Sequence, residues 1–308
     1  MAPNAPIAAE GRWRDLAWCR YGADAGHPVL AWHGTPAVGR MYELAGPAAA
    51  RHGLTLIAPD RPGYGASPPR AEAEQSFLRM AEDGVALMRA IGCERFSVLG
   101  VSGGGPYAAV TAAAHPDRVA ALALVSPVGL IAEPGPGVVL PRAARFSFQM
   151  LPAWRRTLAV AARWGLRHYS RYPDRTYRAL VATAPPADRV ILRRPDIAHF
   201  QLTMTEEALR QGPTAALADQ ARFGRPWGID PARVRCPAVL WQGTNDRLVP
   251  PAAAFALGAR IPGCRVHRLE GAGHFWIFEH ADDVIAELAA LARGVHDPSQ
   301  QRHRDGRA

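Results

Sequence analysis

The sequence predicts an α/β fold: a mostly parallel central sheet with helices on both faces and a helical lid inserted into it. Three observations carry this expectation. Short apolar runs alternate with stretches of helical spacing from residue 13 to residue 125. A glycine-rich turn, Gly100-Val101-Ser102-Gly103-Gly104, joins one apolar run directly to the next helix. The alternation stops after Ser126-Pro127, where no strand-like run occurs until Ala238, and then resumes to the C-terminal helix.

Trp13 to Tyr21 suits an opening strand pair, and Val29 to Trp32 is a short apolar run that ends at Gly34, as a buried central strand would. His33-Gly34-Thr35-Pro36 forms a loop, Val38 to His52 carries apolar residues at helical spacing, and Leu54 to Ala58 is a second buried strand. After the Pro68-Pro69 loop a helix runs from Ser76 to Ile91 and stops near Gly92. Phe96 to Leu99 is again a strand, Tyr107 to Ala114 a helix ended by His115-Pro116, and Val119 to Val125 a strand. Ala238 to Trp241 and Val266 to Leu269 complete the sheet, with helices over Ala252–Ile261 and Asp282–Ala292.

Residues 142–169, 174–182 and 198–211 have helical spacing, with Pro152, Pro173, Pro185, Pro186 and Pro195 read as breakers. The expected organisation is therefore a core built from residues 1–130 and 214–295, a helical lid over 131–213, and a flexible polar tail over 296–308.

Composition narrows the function classes. Of 308 residues, 48% are hydrophobic and 20% charged, which argues against a disordered or fibrous chain. No apolar run approaches the ~20 residues that cross a bilayer, and the first residues lack the basic and apolar regions of a secretory signal, so a cytoplasmic location is expected. Cys19, Cys93, Cys236 and Cys264 are scattered with no C-x-x-C pair, so neither a zinc site nor a disulfide framework is expected. All 36 basic residues are arginines, and the net charge is +9. Residues 131–213 hold 13 Arg against 6 acidic residues, which is +7 of that +9. Arg142, Arg145, Arg155, Arg156, Arg163, Arg167, Arg171, Arg175 and Arg178 read as a solvated lid face, ahead of a surface for nucleic acid, anionic lipid or an acidic substrate.

The chemistry concentrates in three loops. Gly100 to Gly104 satisfies G-x-S-x-G between a strand and a helix, where the glycines allow a turn too sharp for neighbouring Cβ atoms and present Ser102 above the sheet edge. A serine hydroxyl needs a base, and the base needs a carboxylate to orient it. His274, in Gly271-Ala272-Gly273-His274-Phe275, and Asp246, in Gly243-Thr244-Asn245-Asp246, each follow a late strand, in the chain order Ser, Asp, His. Thr35, following the early strand, and Gly103 are placed to supply backbone N–H groups to an oxyanion. His33 reads as a loop anchor, and Asp60 to Gly65 as a turn held by its own hydrogen bonds. Phe275 and Trp276 beside His274, together with Phe146 and Met150, are candidate pocket residues. Trp154, Trp164 and Phe148 in the same stretch read as lid packing and pocket wall.

These loops, with the turn at Asp60 to Ser67, resemble the α/β-hydrolase superfamily from about Trp13 to Arg293, apart from the lid. The resemblance implies a cofactor-independent, metal-free serine hydrolase acting on a small molecule through an acyl-enzyme at a carboxylic ester, thioester or lactone. Related haloalkane dehalogenases and epoxide hydrolases carry Asp at the nucleophile position, which Ser102 replaces. Proline iminopeptidases are similar but usually show a glycine-rich loop where this chain has Thr35-Pro36. A carbon–carbon bond hydrolase, an aminopeptidase, a non-hydrolytic enzyme and a ligand-binding protein on the same fold remain open. A monomer or homodimer is expected, with no nucleic-acid or membrane partner.

Overall fold

The computed structural model describes residues 9–150 and 155–294. Trp154 and the expected tail at 296–308 lie outside them. An opening hairpin, β1 (Ala9–Trp13) and β2 (Leu16–Gly22), leads to β3 (His27–Trp32), α1 (Gly46–Arg51), β4 (Leu54–Pro59) and α2 (Phe77–Ala90). There follow β5 (Phe96–Val101), α3 (Gly105–Ala114) and β6 (Val119–Val125). Between β6 and β7 (Ala238–Gly243) lie α4 (Arg142–Arg145), α5 (Arg155–Arg171), α6 (Pro173–Thr183), α7 (Pro186–Leu192), α8 (Pro195–Leu209) and α9 (Thr214–Phe223). The chain closes with α10 (Pro251–Arg260), β8 (Arg265–Leu269) and α11 (Ile277–Ala292).

The eight strands form one sheet in the order β1-β2-β4-β3-β5-β6-β7-β8. The β1–β2 and β2–β4 pairs are antiparallel and all others parallel. Parallel strands need crossover helices, and these cover both faces. β6 shows why the central strands read as unbroken apolar runs: Leu122 and Leu124 pack into one core with Phe77, Tyr107 and Leu257, while Ala121, Ala123 and Val125 pack into the other with Ala48, Val284 and Leu288. The period-two alternation is intact, but both faces are buried.

Local signals set several boundaries. The Ser76 hydroxyl accepts from the Arg79 N–H at 3.1 Å and caps α2. Pro173, Pro186 and Pro195, expected to break helices, instead open α6, α7 and α8, because the first helical residue needs neither an N–H partner nor a φ that proline lacks. The last helix starts at Ile277, five residues before the expected Asp282, and runs through a non-helical backbone at His280. The expected helix over 38–52 is a 3-10 segment, Gly39–Ala45, running into α1.

Leu124→Ala, which empties a fully buried position on β6, is expected to cost about 2–5 kcal/mol in a urea unfolding titration. Val190→Ala, on the exposed side of α7, should stay within about 0.5 kcal/mol of wild type.

Candidate active site

Ser102, Asp246 and His274 stand on the loops that follow β5, β7 and β8, all at the C-terminal edge of the parallel sheet, where the strands deliver their loops together. Ser102 has φ +53°, a left-handed backbone unusual for a residue with a side chain. The turn is enforced by contact. A Cβ on Gly100 would stand 2.6 Å from that of Ala108, and one on Gly104 would run into the Trp32 carbonyl. Glycine at both positions lets β5 and α3 meet at the angle that lifts Ser102 off the sheet.

The Ser102 hydroxyl lies 3.1 Å from His274 Nε2, and His274 Nδ1 lies 2.6 Å from Asp246 Oδ2. With the ring proton on Nδ1, histidine donates to the carboxylate and accepts from the serine. The other Asp246 oxygen accepts from the N–H groups of Leu248 (2.8 Å) and Val249 (2.9 Å), and the Gln242 amide donates to Oδ2 at 3.1 Å. Burial alone would raise the Asp246 carboxyl, but the imidazole and these donors hold it below the usual carboxylate value. Burial likewise pushes His274 down, yet the Asp246 carboxylate, joined more weakly by Asp188, lifts it above an ordinary histidine.

The loop at 33–36 hangs from a buried ionic cluster that sequence reasoning missed. Asp219, on α9, accepts from Arg61 Nη2 (2.8 Å), Tyr64 (2.8 Å), Tyr107 (2.7 Å) and the Thr35 hydroxyl (2.9 Å), and pairs with Arg222. Arg61 also donates to the Thr35 hydroxyl (2.7 Å) and to the carbonyls of His33 and Gly34. Burial opposes the charge on Asp219, but the two guanidiniums hold its carboxyl far below the usual range. His33 donates from Nδ1 to the Gly34 carbonyl (2.8 Å) and accepts the Arg61 N–H at Nε2 (2.9 Å). Burial, aided by Arg61, keeps it neutral. Its place is that of an anchor for the loop. The Asp60 turn is held by its own carboxylate, which accepts from the N–H groups of Gly39 (2.8 Å) and Ala66 (3.0 Å).

Thr35, Gly103, Ser102 and His274 all line one cavity of about 540 Å³. A Cβ on Gly103 would stand 2.6 Å from Thr35 Oγ1 and 2.9 Å from the Phe223 ring, so the Gly103 backbone packs directly against the Thr35 side chain. Phe275 also lines the cavity. Trp276, Phe146 and Met150 do not, which corrects the expectation for those three. Trp276 turns the other way from its neighbour, into the core under α11, where its indole N–H donates to Ser126 Oγ at 2.9 Å and its ring stacks on Trp241. Phe146 and Met150 are 53% and 62% exposed. The chain from Phe146 to Met150 is a π-helical turn, and Phe148, two residues from each, faces the opposite side and reaches the cavity wall. Trp164, expected in lid packing, is exposed, as are Arg142, Arg145, Arg163, Arg167, Arg171, Arg175 and Arg178.

Asp188, at the start of α7, is a second residue that sequence reasoning missed. Its buried carboxylate accepts the Phe275 N–H at 2.8 Å and sits so close to Gly273 that no side chain fits there. It ties the helices between β6 and β7 to the loop that carries His274.

Two expectations follow. Asp219→Ala leaves Arg61 as an uncompensated buried cation and should cost about 3–5 kcal/mol in denaturant unfolding. Asp188→Asn removes a negative neighbour and should lower the pH midpoint of the His274 ring resonances in an NMR titration, with Asp246→Asn lowering it further.

Comparison with known proteins follows the same geometry. A model of the alpha/beta hydrolase fold matches residues 27–281. The chain is 26% identical over 283 residues to 2-hydroxymuconate semialdehyde hydrolase of Pseudomonas putida, covering 88% of this chain and 90% of that one. It is 29% identical over 268 residues to pimeloyl-[acyl-carrier protein] methyl ester esterase of Aeromonas hydrophila, covering 84% and 93%. The crystal structure of epoxide hydrolase A from Mycobacterium thermoresistibile superposes with a TM-score of 0.68 at 23% identity, covering 94% and 99%, a likeness of fold. A sheet of this order, loops gathered at its C-terminal edge and a family match over most of the chain lead to one conclusion: the chain belongs to the alpha/beta hydrolase fold family.

Proposed function

We propose that this protein is a serine hydrolase that cleaves an ester-like bond of a small molecule through an acyl-enzyme on Ser102. The observation that carries the reading is the unbroken hydrogen-bonded line from Ser102 Oγ through His274 to Asp246, opening on a mainly apolar cavity. His274 takes the hydroxyl proton as Ser102 attacks the acyl carbon, and Asp246 holds the tautomer and stabilises the imidazolium. The N–H groups of Thr35 and Gly103 receive the oxyanion, with Gly103 at the N-terminal side of α3, where backbone donors are free of helical partners. The leaving alcohol or thiol takes its proton from His274. Water, deprotonated by the same ring, then attacks the acyl carbon and releases the acid.

The helices between β6 and β7 act as the lid of this site, supplying Phe148, Phe200 and Phe223 to the cavity wall. An esterase among the relatives supports the bond type, and Ser102 in place of a carboxylate nucleophile argues against epoxide opening.

A fluorophosphonate probe should label wild type at Ser102 and leave Ser102→Ala unlabelled. On a p-nitrophenyl ester panel, kcat should fall about 10⁴- to 10⁶-fold in Ser102→Ala and His274→Ala, and about 10⁴-fold in Asp246→Asn, as in other serine triads. Labelling without turnover would replace this reading with a binding role. Product formed from H₂¹⁸O without ¹⁸O in the acid would replace it with non-hydrolytic chemistry.

A further inference from the structure

α8 buries Ile197, Gln201, Met204 and Ala208, a stripe spaced four, three and four residues apart that marks the inward face of the helix. Three of the four are apolar. Gln201 is the exception: it is 9% exposed, lines the cavity that holds Ser102, and its Oε1 has no hydrogen-bond partner among the described residues. A buried carboxamide oxygen left unpaired on an otherwise apolar stripe opposes folding, which fits a partner supplied from the cavity.

Most other polar side chains of the cavity wall are already engaged. Thr35 is held by Arg61 and Asp219, and the Tyr42 hydroxyl donates to the Trp32 carbonyl at 2.7 Å. The Gln220 amide donates to Ser147 Oγ at 3.0 Å. Ser102 and His274 serve each other. No Asp, Glu or Arg side chain lines the cavity among the described residues, although the chain carries a net charge of +9. A carboxylate entering this space would lose its hydration with no cation to meet it.

We infer that the substrate is an uncharged, mainly apolar ester carrying one neutral hydrogen-bonding group, a hydroxyl in the simplest case, that meets the Gln201 carboxamide. The inference rests on the serine hydrolase reading only for the word ester. The ligand chemistry belongs to the cavity wall and is tested apart from turnover. Gln201 is the specificity-determining residue: its carboxamide oxygen accepts from the substrate hydroxyl.

The test uses Ser102→Ala, which holds esters without cleaving them, and titrates it calorimetrically with methyl octanoate, its 6-, 7- and 8-hydroxy derivatives and monomethyl suberate. Octyl acetate and its matching hydroxy derivatives and ω-carboxylate place the same groups on the alcohol side. At least one hydroxylated ester should bind about tenfold more tightly than its alkyl parent, and the carboxylates at least about 100-fold more weakly. Adding Gln201→Met should abolish the hydroxyl advantage and tighten the binding of the alkyl parent. The inference is overturned if a carboxylate binds as well as its parent, or if no hydroxylated ester of either series is preferred by the protein that retains Gln201. If the binding pattern holds but wild type hydrolyses none of these esters, the inference about the cavity stands and the hydrolase reading falls.

Discussion

The left-handed backbone at Ser102 is the constraint around which the rest of this molecule is arranged. Such a conformation costs roughly 1–3 kcal/mol in a residue with a side chain and persists only where its surroundings leave no alternative. Here β5 delivers the chain upward, α3 takes it away, and three close approaches, at Gly100, Gly103 and Gly104, lock the corner against Ala108, Thr35 and Trp32. Each contact requires another element to be in place. Trp32 needs β3 beside β5, Thr35 needs the Asp219 cluster, and Ala108 needs α3 packed on the sheet. The hydroxyl faces the cavity because the chain behind it is packed this closely.

The electrostatics divide the same way. The excess positive charge sits on the outer face of the inserted helices, where water solvates it, and in Arg61 and Arg222, which share the buried Asp219 carboxylate. The cavity between receives neither. His274 lines it with Asp246 behind, and because the walls are mainly apolar, the attraction that lifts the imidazole above its ordinary pKa is weakly screened.

Much of this was legible in the sequence, and the reasons are specific. The strands read as apolar runs because they are buried on both faces, and Ser102, Asp246 and His274 stood out because each follows such a run within a glycine-marked turn. Asp219 and Asp188 did not stand out. An aspartate in an Ala-rich helix reads as solvated, and what makes Asp219 buried is Arg61, 158 residues away, which no local pattern couples to it. Phe146 and Met150 share one side of their turn and Phe148 the other, and spacing alone does not tell which side meets the cavity. Trp276 was grouped with Phe275 by adjacency, where the chain sends neighbours to opposite sides.

Asp219 also bears on where this chain can be cut and rejoined. Its carboxylate travels with α9, yet every one of its partners outside α9 belongs to the loops and helices around Ser102. A chimera that exchanges the helices from Arg142 to Leu209 for those of another protein keeps α9, and with it the anion that neutralises Arg61. One that extends the exchange through Phe223 removes the anion and strands a guanidinium beneath the loop at 33–36. The seam for recombining this scaffold therefore lies before α9, at Gly212 and Pro213, where the backbone already turns through a positive φ.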